Sequence, residues 1–220
     1  MKNEVVSGRT VAELVTERSG VTGEKMELSD YVFLRGAQVD AYNHLGNKLS
    51  SLVSVAEADA NKEAVHGISM QVAAMSPIAV SAELVAQEVK DHELQVAIEK
   101  TKQDEVNKAV EQALRKAGIN PAHADTDDHV ESNLAKGWLT EEQAEVARKI
   151  RREVPAEAEA NINMKKVEMI AQGRLQKFLK ESTLNEQVYV MSEDKELVKD
   201  VLKKAGITVC DFKRVTLNQE

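Results

Sequence analysis

The chain has 220 residues, 42% hydrophobic and 30% charged, with 29 Lys and Arg against 37 Asp and Glu for a net charge of −8. That balance can build a packed core and gives no general attraction for phosphate backbones or anionic lipid. Aromatic residues at 3% and a single cysteine, Cys210, exclude a base-stacking platform, an aromatic-rich β-sandwich, an internal disulfide and a cysteine-rich zinc site. No run of about 18 apolar residues occurs, and residues 1–30 carry no charged–apolar–small leader pattern, so the expectation is a cytoplasmic protein with no membrane partner.

Residues 1–8 read as a ragged terminus. Thr10 can cap a short helix, with Glu13 completing a capping box, and Gly20 is its predicted stop. Val21-Thr22-Gly23 then reads as a loop. From Lys25 to Val55 the apolar period falls to two. Met26, Leu28, Val32 and Leu34 come first, then Val39 and Ala41, then Leu49, Val53 and Val55, with Gly46-Asn47 as a hairpin turn. Three antiparallel strands are predicted. Asn61 to Met75 returns to helix, with Val65, Ile68, Val72 and Met75 on one face, widened by Ala73 and Ala74, and Pro77 as a stop. This helix should cover the sheet.

Charged residues and alanine dominate 81–180. Ser81 is a predicted cap for a long helix over 82–117, striped by Val106, Val110, Leu114 and Ala117. A second stripe holds Met164, Val167, Ala171, Leu175 and Phe178. The two are expected to pair antiparallel as a coiled-coil arm. Between them, one short helix is predicted over about 127–135 and another from Thr140 to Arg152, with Pro155 breaking the chain after it. The last 40 residues read as a strand at Val188 and Val190, a helix from Leu197 stopped at Gly206, and a strand from Val209 to Leu217. The fold class expected is α+β: an antiparallel sheet packed with helices, carrying a long inserted helical arm. The divisions expected are 1–80 for the first part of the core, 81–180 for the arm with an enlarged tip at 118–155, and 181–220 for the rest of the core.

Little of this carries covalent chemistry. There is no GxGxxG, no GxxxxGK[ST] and no GxSxG, so neither nucleotide binding nor a serine nucleophile is expected. Cys210, beside Asp211, reads as a partly buried structural thiol. His123, Asp125, Asp127, Asp128 and His129 form the one cluster that resembles metal ligands, but an Asp-rich loop capping the helix that begins near Asp127 explains the same residues without metal, and no metal or other cofactor is expected. Arg151, Arg152, Lys165, Lys166, Arg174, Lys177 and Lys180 outnumber the four acids of 151–180. They read as a solvated face or as partners of acids on the facing helix, and no direct nucleic-acid contact is expected. Trp138 sits in a loop that should pin the tip to its own helices.

Two stretches carry a family resemblance: Met70-Gln71-Val72-Ala73-Ala74-Met75-Ser76-Pro77, and Ala171-Gln172-Gly173-Arg174-Leu175-Gln176-Lys177-Phe178 with its continuation from Lys180 to Val190. With Thr22-Gly23-Glu24-Lys25-Met26-Glu27-Leu28, Asp40-Ala41-Tyr42-Asn43-His44 and Phe212-Lys213-Arg214-Val215 in the same order, the chain resembles the elongation factor Ts family over nearly its whole length. Ala117 to Pro121 and Lys136-Gly137-Trp138 resemble the enlarged arm of Bacteroides-like members.

The resemblance implies a nucleotide exchange factor rather than an enzyme. Its partner would be elongation factor Tu, a GTPase whose GDP release the family speeds by stabilising the nucleotide-free conformation. His44 matches a family histidine that grips the partner's third domain. Thr22-Gly23 matches a loop dipeptide implicated in that grip, although many members have Ile at the first position, and Val190 matches another implicated position. Some members also self-associate, so a homodimer, or a structural module without exchange activity, is the alternative reading. One departure stands out. The family's N-terminal helical domain and its Thr-Asp-Phe-Val wedge have no counterpart here, and Thr126-Asp127-Asp128-His129-Val130 is not that wedge. The sequence therefore resembles the C-terminal core and arm, as a cut fragment or a shortened protein.

Overall fold

The structure is a computed structural model that describes residues 2–44 and 46–217. It divides into two compact units, one of residues 1–80 and 184–220, the other of residues 81–183.

The first unit is α+β. It opens with a two-residue hairpin, β1 (Val5–Val6) and β2 (Arg9–Thr10), where a ragged terminus was expected. Helix α1 (Val11–Thr22) follows behind the predicted Thr10–Glu13 capping box. It runs through Gly20 and ends at Gly23, whose φ of 72° is the left-handed conformation a glycine tolerates best, its N–H bonding to Ser19 O at 3.0 Å. Val21 and Thr22 are therefore helical, not loop. The strand predicted over Lys25–Leu34 does not form. Residues 24–35 pair with no other strand among the described residues, and Tyr31 and Phe33 stand exposed. Period-two apolarity describes side chains; a strand also needs a neighbour for its N–H and C=O groups, and here none is supplied.

The hairpin β3 (Gln38–His44) and β4 (Leu49–Val55) is as predicted. Gly46 and Asn47 both take positive φ, 68° and 60°, the pair of signs a type I′ connection demands. Helix α2 (Lys62–Met75), capped by Asn61, lies on one face of this hairpin, and β5 (Val209–Thr216) adds antiparallel to β4 to give the order β3-β4-β5. The core forms where they meet: Val53 and Val55 from β4, Val65, Ile68 and Val72 from α2, Val198 and Leu202 from α7 (Val198–Ala205), with Val80, Leu184, Ile207 and Val209. Each such burial is worth about 1.5–3 kcal/mol against exposure. Ala74 and Met75, predicted for the apolar face, are exposed; Gly67, Ser69 and Gln71 are buried instead. Helix α7 stops at left-handed Gly206, as expected. No strand forms at Val188 and Val190. Val188 makes one isolated bridge to Leu197, and the chain turns at Val190. At the points where the chain leaves and re-enters this unit, Leu184 N–H bonds to Ala79 O and Asn185 N–H to Val80 O, at 2.9 and 3.0 Å.

The second unit is helical. Ser81 precedes only a 3-10 turn, Ala82–Leu84. Val85 and Ala86 are extended, so the long helix α3 restarts at Gln87 and runs to Lys116. The tip holds α4 (Asp127–Ala135), capped by Thr126, and α5 (Glu141–Ala160), capped by a Thr140–Gln143 box; α6 (Met164–Ser182) follows. Contacts along α3 give the direction of α6: Lys166 near its start pairs with Glu105 in the second half of α3, while Gln176 and Leu179 near its end line one groove with Gln87, Asp91 and Leu94 at the start of α3, so the two run antiparallel. Helix α5 packs on the other end of α3, with Ala144 and Ala147 against Leu114 and with Arg151 and Pro155 lining a groove with residues between Gln103 and Arg115. Of the predicted second stripe, Val167, Ala171 and Leu175 are buried and Met164 is exposed. In the tip, Leu114, Ile119, Ala124, Val130, Leu139, Ala144 and Ala147 form a separate small core.

Pro155 does not end the helix. It lies inside α5, which continues to Ala160. Tertiary packing overrides the lost N–H donor: Ala144 and Ala147 are fully buried, and the turns before Pro155 are tied to α4 by Arg148–Glu131 and Arg151–Asp127 pairs. Pro155→Ala should therefore raise the stability of this unit, by about 1–3 kcal/mol. Thermal unfolding followed by circular dichroism is the check, and an unchanged or lower midpoint would show that the proline is already accommodated without cost.

Candidate protein-docking site

Alternation along β3 puts Asp40, Tyr42 and His44 on the face that meets α2. Their cross-strand partners on β4 are Val53, Ser51 and Leu49, followed on β5 by Phe212, Arg214 and Thr216. Polar groups on this face are tied down by the helix. Ser51 Oγ donates to Ser69 O at 2.7 Å, and Arg214 Nε to Ala73 O at 3.2 Å. The His66 ring of α2 meets Asp40 Oδ2 at 3.0 Å and stands edge-on to Tyr42, centroids 5.6 Å apart. Tyr42 in turn places its hydroxyl 2.7 Å from His44 Nδ1. His44 is thus half-buried at the end of β3, held by a neighbour two residues back on the same face.

The opposite flank of α2 holds the loop of Val190. Gln71, with no exposed surface, directs its Nε2 to Gln187 Oε1 at 3.1 Å and Val188 O at 3.2 Å, and its Oε1 accepts from Val190 N–H at 2.8 Å. Gln187 donates onward to Met75 O. Two further backbone bonds, Tyr189 N–H to Glu196 O and Val198 N–H to Gln187 O, close the base of the loop. Gly67 is what lets Tyr189 lie against the helix, since a Cβ there would overlap the tyrosine hydroxyl. Burial raises the pKa of that hydroxyl, which donates to Met191 Sδ at 3.4 Å. Val190 itself stays 44% exposed.

His44 and Val190 are therefore both carried by segments packed on α2. Thr22 and Gly23 are not. They end α1, a helix none of whose residues is buried, and the Thr22 hydroxyl is spent on Arg18 O at 2.9 Å. Tyr42 and Gln71 went unassigned in the sequence reading. A Tyr-x-His spacing on a strand, which sets both rings on one face, was the available signal for the first; nothing local distinguishes a buried Gln71 from a solvated one.

The other predicted groups do different work. Cys210 is exposed, not partly buried, because it points away from the core at the start of β5. In the tip, His129 bonds Asp125, whose carboxyl it holds below the usual range, while His123 stacks on Trp138 with centroids 5.3 Å apart. No three potential metal ligands converge among the described residues. Trp138 remains 60% exposed beside His123 and Lys136, and it is Leu139, next in the chain, that is buried in the tip core. Arg174 and Lys166 lower the carboxyl pKa of Asp104 and Glu105 through their hydrogen bonds, so part of the basic stretch is paired across helices. No helix of the described residues is long and apolar enough to cross a membrane.

Fold and surface define an α+β protein whose tethered side chains sit at a strand end and a loop tip, an arrangement suited to contact with another macromolecule. The family model for Elongation factor TS matches residues 1–120 and 107–219. The chain belongs to the elongation factor Ts family. It is 50% identical over 217 residues to Elongation factor Ts of Phocaeicola vulgatus and 50% identical over 214 residues to that of Bacteroides fragilis, covering 96% of this chain and 64% of either relative. Against Elongation factor Ts of Porphyromonas gingivalis the identity is 33% over 219 residues, 98% of this chain and 58% of the relative. The chain thus spans a little under two thirds of the length of these relatives.

Gln71→Leu keeps the volume but strands the Val190 N–H and the Val188 carbonyl. It should cost about 2–3 kcal/mol. Urea unfolding measures the loss, and faster amide hydrogen exchange at Val190 would locate it. Gly67→Ala should leave α2 helical yet displace Tyr189, read as a change in tyrosine fluorescence and in the Val190 amide shift.

Proposed function

We propose that the first unit docks on elongation factor Tu and that this docking favours the partner's nucleotide-free conformation, promoting GDP release in the cytoplasm. The supporting observation is the double anchorage on α2: Tyr42 and His66 brace the His44 end of β3, while Gln71 braces the Val190 loop. Side chains already immobilised lose little entropy on binding, which is what a contact surface requires. No bond of the substrate is made or broken. The factor binds one conformation of the GTPase more tightly than the other, and by linkage GDP affinity falls as that conformation is populated. Thr22 and Gly23, matching the implicated loop dipeptide, would supply a second, less constrained contact.

The 220 residues contain no Thr-Asp-Phe-Val segment. The chain by itself should therefore bind the GTPase yet accelerate release of a fluorescent GDP analogue far less than a relative that carries the segment. Pull-down with elongation factor Tu, followed by stopped-flow GDP release, tests both halves. His44→Ala should weaken capture about tenfold, as loss of one well-placed contact does. Capture unaffected by His44→Ala, or release as fast as with a full-length relative, contradicts the reading.

A further inference from the structure

We infer that Tyr42 is a positioning residue that sets the tautomer of His44, and that the group His44 meets on its partner is a hydrogen-bond acceptor. The inference rests on the docking reading above, but its physical basis is local. The Tyr42 hydroxyl carries one proton and lies 2.7 Å from His44 Nδ1. Among the described residues that nitrogen is the acceptor within its reach. The other ring beside Tyr42 is His66, which stands edge-on at 5.6 Å and whose Nδ1 is engaged by Asp40. A phenol that donates to Nδ1 requires that nitrogen to be unprotonated, so the neutral ring must carry its proton on Nε2.

Tyr42 can impose this because its surroundings are tied to α2. Its cross-strand neighbour Ser51 on β4, and Arg214 beyond it on β5, are both bonded to α2 backbone carbonyls, and His66 abuts its ring. His44 closes β3 and is half-buried, so its Nε2–H is presented at the strand end, beside the Gly46-Asn47 turn. Nε2 itself has no hydrogen-bond partner among the described residues, Nδ1 being the nitrogen that Tyr42 meets. A backbone carbonyl or a carboxylate on the partner satisfies it; an N–H donor does not.

Long-range proton–nitrogen NMR of the ring at neutral pH reads the tautomer directly in the unaltered chain. The expected result is a proton on Nε2 and a bare Nδ1; a protonated Nδ1 overturns the inference. Tyr42→Phe should move the His44 ring nitrogens toward the averaged tautomer mixture and weaken capture of elongation factor Tu about threefold to tenfold. In a His44→Ala background the same change should have almost no further effect, and an equal loss in both backgrounds would mean Tyr42 acts only on the fold. His44→Gln, whose amide nitrogen reaches the Nε2 position, should keep more affinity than His44→Asn; the reverse order overturns the assignment of Nε2–H as the contact. If His44→Ala leaves capture unchanged, the docking reading fails, and the NMR comparison of the unaltered chain with Tyr42→Phe still decides whether Tyr42 sets the ring.

Discussion

The surface described here depends on one buried amide. Gln71 has no exposed surface, yet both ends of its amide are bonded, because Nε2 faces two acceptors, Gln187 Oε1 and Val188 O, and Oε1 faces a donor, the Val190 N–H. A polar group in that position is costly unless fully bonded and specific when it is. An apolar side chain of the same size would pack as well but would not choose a single path for residues 187–190. The amide converts a stretch with one isolated bridge into a defined loop.

Helix α2 then acts as the common support. On one flank it carries that loop; on the other, His66, Asp40 and Tyr42 form a chain of contacts that ends at His44. In between, Val65, Ile68 and Val72 seal against Val53 and Val55. The apolar contacts supply stability, and the polar ones decide where the exposed side chains stand. This division of labour explains how serines at 51, 54 and 69 can be buried: each bonds a backbone carbonyl, Ser51 tying strand to helix, Ser54 strand to strand, and Ser69 bonding back within α2 to Val65 O.

The helical unit follows a different logic. Its long helix is rich in charge, with Ala97, Thr101 and Leu114 buried along it, so its partners are held by narrow apolar contacts plus ion pairs such as Lys166–Glu105 and Arg174–Asp104. Exposed pairs of this kind contribute little stability each. They set register between helices whose apolar stripes alone would permit sliding. The tip is sturdier, with its own core around Leu114, Val130 and Leu139.

Much of this was legible in the sequence wherever the signal is local. The Thr10–Glu13 box, the Gly46-Asn47 turn, the stop at Gly206 and the stripes of α2 and α6 are all statements about residues a few positions apart, and propensity and periodicity read them directly. The matched segments likewise identified the family. What tertiary structure alone decided was pairing and burial. Lys25–Leu34 has a strand's pattern but no neighbour among the described residues, Pro155 is carried through a helix whose earlier turns are buried in the tip core and paired with α4, and Val188–Val190 becomes a loop because a glutamine far away in the chain satisfies it. Whether His44 is an isolated edge histidine or the end of a braced polar chain is also a long-range fact: Asp40 and Tyr42 lie within four residues of it, but His66 arrives from α2, and only folding brings that helix across the strand.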